Sequence, residues 1–172
     1  MTGHKVIGKQ FNSKKCIVCG MDNPLGLKTR FYELDNGEVA GIFTILEEHQ
    51  SYPGRMHGGV SSAVLDETIG RAIMITEPHV WAVTAELSVK YRQPVPLDTT
   101  LTCIGRITRN TRLIFEGEGE ILLPDGTVAV TAKGKYRKLD LRKITSEEEA
   151  HGQENWIVWL EKEARDPEEI FY

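Results

Sequence analysis

The chain has 172 residues, 40% hydrophobic and 27% charged, with a formal net charge of −4, which fits one globular domain with its own core. Residues 146–172 carry nine acidic and two basic side chains, so the tail is acidic and the body sits near +3; that lacks the strong basic stripe of a nucleic-acid binder but can hold a small anionic ligand. No apolar run reaches membrane-spanning length, the polar N-terminus has no apolar core of a signal peptide, and the three cysteines are an odd count, so the expectation is a reducing, cytoplasmic location without membrane insertion or a disulfide framework.

Residues 1–15 are polar and rich in Gly and Lys, and are expected to be a loosely held segment. Cys16-Ile17-Val18-Cys19-Gly20 follows. A CxxC pair is a structural turn, half of a metal site, or a redox pair; zinc needs two further ligands, with His4 the only neighbour in sequence, and redox chemistry needs a βαβ context that is absent. Asn23-Pro24-Leu25-Gly26-Leu27 reads as a turn into a strand over 28–34. Asp35-Asn36-Gly37 is a hairpin signal, with the return strand over 38–46. The loop 47–55 is polar and punctuated by Pro53-Gly54.

Met56–Ile75 is the one long helical apolar stretch. Val60, Ala63, Val64, Leu65, Ile69, Ala72, Ile73, Met74 and Ile75 cover nearly all sides, which predicts a buried helix opening at His57-Gly58-Gly59. Four strands with short turns follow. In 80–92, Val83, Ala85, Leu87, Val89 and Tyr91 alternate with Thr84, Glu86, Ser88, Lys90 and Arg92, placing Thr84 on the polar face. The strands over 99–108 and 111–123 lead to a turn at Pro124-Asp125-Gly126. The last strand, 127–138, has Val128, Val130, Ala132, Gly134 and Tyr136 on one side. Short connections imply an antiparallel sheet. The organisation expected is one α+β domain over 16–140 and an extension over 141–172. Ser146 with Glu149 is a capping box, and Trp156, Trp159 and Leu160 fall at helical spacing, so the extension reads as an amphipathic helix.

Three motifs in this order, Asn23-Pro24-Leu25-Gly26-Leu27, His57-Gly58-Gly59 with Leu65-Asp66, and Thr84-Ala85-Glu86-Leu87 leading to Tyr91-Arg92-Gln93-Pro94, resemble the PaaI-like branch of the hotdog-fold acyl-CoA thioesterases. The resemblance covers roughly residues 16–138. It implies a sheet of five or six antiparallel strands around the central helix, assembly as a homodimer or dimer of dimers, and hydrolysis of an acyl-CoA to free acid and CoA with no metal or other cofactor.

The physics of the residues agrees with what the resemblance implies. Glycines at a helix start leave first-turn N–H groups bare at the positive end of the helix dipole, suited to a developing oxyanion. The resemblance gives that task to Gly58 beside Gly59, with His57 positioning the helix start or the substrate. Asp66, among small and apolar neighbours, is the expected base that activates water, or the nucleophile. Glu67 is its rival, but Arg71 at i+4 should claim it as an ion-pair partner. Thr84 matches the family's water-orienting hydroxyl. Where some relatives carry an Asn that helps bind the carbonyl, this chain has Ser51 beside Gln50. Arg92, Arg106 and Arg109, with Lys90 and Arg112, are candidates for the CoA phosphates. A non-catalytic acyl-CoA binder or sensor and a dehydratase or hydratase on the same fold are the alternatives.

Overall fold

A computed structural model describes all residues, Met1–Tyr172. The chain folds around α1 (Gly58–Arg71), extended by a 3-10 turn at Ala72–Ile75. An eight-stranded sheet wraps it, built from β1 (Gly3–Lys9), β3 (Arg30–Leu34), β4 (Val39–Thr44), β5 (Trp81–Tyr91), β6 (Thr100–Asn110), β7 (Ile114–Leu122), β8 (Val128–Leu139) and β10 (Glu169–Phe171). Its order is β10-β1-β3-β4-β6-β7-β8-β5, and every pairing is antiparallel. A second, two-stranded sheet pairs β2 (Asn12–Ser13) with β9 (Ile157–Val158). The other α-helix, α2, is one short turn at Glu147–His151.

The predicted turns form where the glycines allow them: Gly37 and Gly126 take φ of 81° and 83°, closing β3 to β4 and β7 to β8. The main core lies between sheet and helix. Val64, Leu65, Ile69 and Ile73 pack on Phe31, Phe43, Leu101, Phe115, Ile121 and Val130, and burial of this apolar surface is the main term holding α1 in place. The helix sits close because β6 yields space: a Cβ on Gly105 would lie 2.7 Å from the Thr68 carbonyl oxygen. A smaller core of Tyr32, Leu34, Ala40, Ile104, Leu122 and Ile170 fills the other face of the sheet.

Four expectations are corrected. The N-terminal segment is not loose: β1 joins the sheet between β3 and β10. Its partners are the C-terminal tail and a strand some twenty residues on, and no local periodicity announces such pairing. Lys9 then anchors Asp166 at 2.7 Å. These outer strands also raise the sheet from the expected five or six strands to eight. The C-terminal extension is not a long amphipathic helix. Ser146 caps α2 as predicted, its Oγ accepting from Glu149 N at 3.2 Å, but the helix ends at His151, before Gly152. Trp156 and Trp159 instead reach the body from an extended strap, Trp156 tilted against Trp81 and Trp159 edge-on to Phe11, with ring centroids 5.5 Å apart in each case.

Nor is α1 buried all round. Val64, Leu65, Thr68 and Ile69 are buried, whereas Ser62, Ala63, Asp66, Glu67 and Gly70 form a half-buried stripe along one side. That stripe lies beside β5, which ends the sheet and exposes Thr84, Ala85, Glu86, Ser88 and Tyr91.

Candidate functional site

The start of α1 and the turn that carries Asp66 are built differently. At its start His57 is the N-cap, and its Nδ1 accepts from Gly59 N at 2.9 Å. The Val60 and Ser61 amides turn back to the His57 carbonyl. Gly58 N–H donates to no acceptor within the chain, so the cap settles its neighbours and leaves one donor at the positive end of the helix free. Tyr91, from the end of β5, fixes this start: its hydroxyl donates to the Gly58 carbonyl at 2.9 Å and lies 2.8 Å from Ser62 Oγ.

Two turns on, Asp66 is held by two hydroxyls. Thr84 Oγ1 sits 2.8 and 3.0 Å from its two carboxylate oxygens, and Tyr136 OH donates at 3.1 Å. These residues are direct cross-strand partners in β5 and β8. A β-bulge makes that possible. Between Thr84 and Glu86 the register shifts and Ala85 is left over, so Thr84 turns toward the helix together with Leu87 and Val89, against the strict alternation expected from sequence. Gly134 does the same service for Tyr136, whose ring lies where a Cβ on Gly134 would come within 2.6 Å; Phe115 stacks on its other side at 4.8 Å. Burial raises the Asp66 pKa above the ordinary carboxylate value, outweighing the hydrogen bonds from Thr84 and Tyr136 that lower it.

Asp66 and Thr84 open onto a cavity of about 330 Å³. Ile73, Met74, Gly70, Trp81 and Ala82 line it from the domain, Phe11 and Trp156 close it from the N-terminal segment and the strap, and Cys16, Cys19 and Glu67 form one wall. Trp156 belongs to the extension that sequence reading left outside the functional core.

Glu67 is paired with Arg71 as expected, Arg71 Nε donating at 2.8 Å. Its free oxygen faces Cys16 Sγ at 3.9 Å. His4, the metal ligand considered beside the cysteines, is instead on β1 next to Asp35 and Tyr172. The candidate phosphate binders are not gathered beside Asp66. Arg92 and Arg106 line a groove on the opposite face of the sheet with Lys90, and Arg106 is already paired with Glu38, Glu118 and Glu120. The alternation that turns Gly105 to the helix turns Arg106 away. Arg109 is 64% exposed and contacts Glu116 at 3.5 Å. Gln50 and Ser51 sit on the loop that delivers His57, with the Gln50 side-chain oxygen accepting from Gly54 N. From sequence, Tyr136 has no role in the site and Tyr91 only a place in the motif over 91–94. The signal for Tyr136 was available: it is the one hydroxyl on an otherwise apolar strand face.

A family model for the thioesterase superfamily matches residues 53–130, which contain α1, Asp66 and Thr84. The crystal structure of a thioesterase superfamily protein is 32% identical and superposes with a TM-score of 0.66, covering 72% of this chain and 63% of that one. Residues 53–130 form a thioesterase-superfamily domain, and the chain has the hotdog fold of that superfamily. A Bacillus halodurans protein of the same fold, solved with CoA, is 22% identical with a TM-score of 0.59, over 66% of this chain and 75% of that one. Among curated relatives, MIOREX complex component 3 of Saccharomyces cerevisiae is 28% identical over 92 residues, 52% of this chain and 34% of that protein. The chain thus spans about a third of the length of that relative. The matched segment holds the helix and both ends of the site, while β1, the CxxC turn and the C-terminal strap lie outside it. No helix of the chain is long and apolar enough to cross a membrane.

Proposed function

We propose that the protein hydrolyses an acyl-CoA thioester to the free acid and CoA, with Asp66 as general base and the Gly58 N–H as oxyanion donor. The observation that carries this reading is the Asp66 carboxylate, gripped by Thr84 and Tyr136 at the edge of an apolar cavity and raised in basicity by burial. Water positioned by Asp66 and Thr84 attacks the carbonyl carbon and passes its proton to the carboxylate. Negative charge gathers on the carbonyl oxygen, where the bare helix-start donor stabilises it. Collapse breaks the C–S bond, and the proton on Asp66 goes to the departing thiolate. Attack by water, rather than by Asp66 itself, suits a carboxylate whose two oxygens both accept hydroxyl hydrogen bonds. The apolar wall of Phe11, Ile73, Met74, Trp81 and Trp156 suits an acyl chain or aromatic acyl group. CoA as the carrier is supported by the CoA-bound relative of the same fold.

Gly58 and Asp66 are eight residues apart on one helix, about 12 Å along its axis, too far to act on one carbonyl. β5 runs beside the helix from Thr84 near Asp66 to Tyr91 near Gly58 and is an unpaired, exposed edge. Such an edge calls for a partner. Two-fold antiparallel pairing of β5 with a second copy would bring the Gly58 end of one chain beside Asp66 of the other, so the working unit proposed is a homodimer with two composite sites.

The test is free-thiol release from short, medium, long and aromatic acyl-CoAs, wild type against Asp66→Asn, with Glu67→Gln as the neighbouring-carboxylate control. Activity on at least one thioester that falls in Asp66→Asn supports the reading. A wild-type protein inactive on every thioester, or an Asp66→Asn variant with full activity, contradicts it.

A further inference from the structure

We propose that Cys16, Cys19 and Glu67 bind a thiophilic divalent cation of the zinc class, with one coordination position open to the Asp66 cavity. The two sulfurs and a Glu67 oxygen lie within 4.8 Å of one another, although Glu67 is on α1, some fifty residues from the CxxC turn. Ligands around a tetrahedral zinc, at about 2.3 Å for sulfur and about 2.0–2.2 Å for oxygen, stand roughly 3.5–3.8 Å apart, so a shared ion requires movements of about 1 Å at most.

Hydrogen-bond donors approach the sulfurs. Cys16 Sγ accepts from two backbone amides, Val18 N at 3.3 Å and Cys19 N at 3.4 Å. Cys19 Sγ accepts from Arg71 Nη2 at 3.2 Å. Arg71 Nε holds one Glu67 oxygen at 2.8 Å and leaves the other facing Cys16. Donors thus reach both sulfurs, two at Cys16 and one at Cys19, and Cys19 Sγ also lies 3.6 Å from Ser13 Oγ. Charge points the same way. Two thiolates and a carboxylate carry −3, and Arg71, itself buried, returns +1. A divalent ion brings the cluster to neutrality, as a half-buried group of charges requires. On loading, two metal–sulfur bonds form and the two thiol protons leave to solvent; no electron is transferred. Two sulfurs select zinc over magnesium or calcium. Three protein ligands leave a fourth position, and the cavity shared with Asp66, Thr84 and Ser13 lies there.

The turn is built to hold this arrangement. Gly20 N bonds back to the Cys16 carbonyl at 2.8 Å, and a Cβ on Gly20 would meet that oxygen at 2.3 Å, so the residue after the second cysteine has to be glycine. Asn12 Nδ2 fixes the Cys19 carbonyl at 2.8 Å.

The experiment uses the full-length protein, kept reduced and stripped with a chelator, titrated with Zn²⁺ by calorimetry and with Co²⁺ by absorbance. The expected result is one ion per chain, release of about two protons on Zn²⁺ binding, and a thiolate-to-cobalt charge-transfer band. Cys16→Ser and Cys19→Ser should each abolish the band. Glu67→Gln should weaken Zn²⁺ binding by at least about tenfold. Cys103→Ser, buried beneath the helix outside the cluster, should bind as wild type does. Failure of the reduced wild type to take up Zn²⁺ stoichiometrically, a cobalt spectrum without the thiolate band, or unchanged binding in both serine variants overturns the proposal. The wild-type cobalt spectrum decides the matter even if a variant does not fold. None of these readouts involves turnover, so they stand apart from the test of thioester hydrolysis.

Discussion

The start of α1 and the turn that holds Asp66, the two halves of the proposed chemistry, are built in opposite ways. At the start, His57 and Gly59 are exposed and the Gly58 donor is left bare. At the second turn Asp66 is half buried and satisfied from two strands. A donor that must meet a substrate has to stay uncommitted, whereas a base gains strength from an enclosing wall. The difference also separates the two in space, and that separation is the reason for expecting composite sites.

The largest effects should come from removing either half alone. Asp66→Asn should lower kcat by about 10²–10⁴-fold, and Gly58→Pro by about 10²–10³-fold, each measured by thiol release. Proline at the first helical position removes the N–H while keeping the helix, so a folded, inactive Gly58→Pro isolates the donor. If Gly58→Pro is folded and fully active, the helix start is not the oxyanion site.

Next come the groups that hold Asp66. Tyr136→Phe and Thr84→Val should each reduce kcat roughly tenfold, the scale of one hydrogen bond to a charged group. Loss of either donor should also raise the Asp66 pKa, because both hydrogen bonds lower it. The base works deprotonated, so kcat/KM should rise with pH through a limb lying above the ordinary carboxylate value, and that limb should move to higher pH in both variants. A limb unmoved in both would detach these hydroxyls from the base.

Smaller again is the cavity wall. Trp156→Ala should raise KM for the preferred acyl-CoA by roughly five- to tenfold with kcat less affected, since it removes apolar contact from the binding site. The smallest effect should be on stability. A carboxylate whose folded pKa is raised costs stability as pH rises from its unfolded pKa through the folded one. Asp66→Asn should therefore raise Tm at neutral pH by about 2–4 °C, and the gain should vanish below the unfolded pKa. A lower Tm at neutral pH would mean that the carboxylate is a structural anchor.

The helix, its glycine start, Asp66 and the two hairpins were legible in sequence because each rests on local chemistry: helical spacing, turn glycines, and an acid among small residues. The Glu67–Arg71 pair followed from i,i+4 geometry in the same way. What was not legible depends on distant contacts. The bulge at Ala85 reverses the face of Thr84, and period-two reading carries no sign of it. Strand β1 needs the C-terminal tail, and the tail was misread because Trp156 and Trp159 fit a helical spacing while Gly152 and the pairing of β9 with β2 decided otherwise. Arg106 looked free for phosphate until its cross-strand acids were in view.

The central claim, that the two ends of α1 act across a subunit boundary, is tested most directly by mixing inactive chains. Asp66→Asn and Gly58→Pro proteins are unfolded together, refolded, and assayed for thiol release after mixed dimers have been verified by native mass spectrometry. Each mixed dimer would hold one intact site and one doubly damaged site, so random mixing should restore about a quarter of wild-type activity. Activity that stays at the level of the parent variants, with mixed dimers present, would contradict the account.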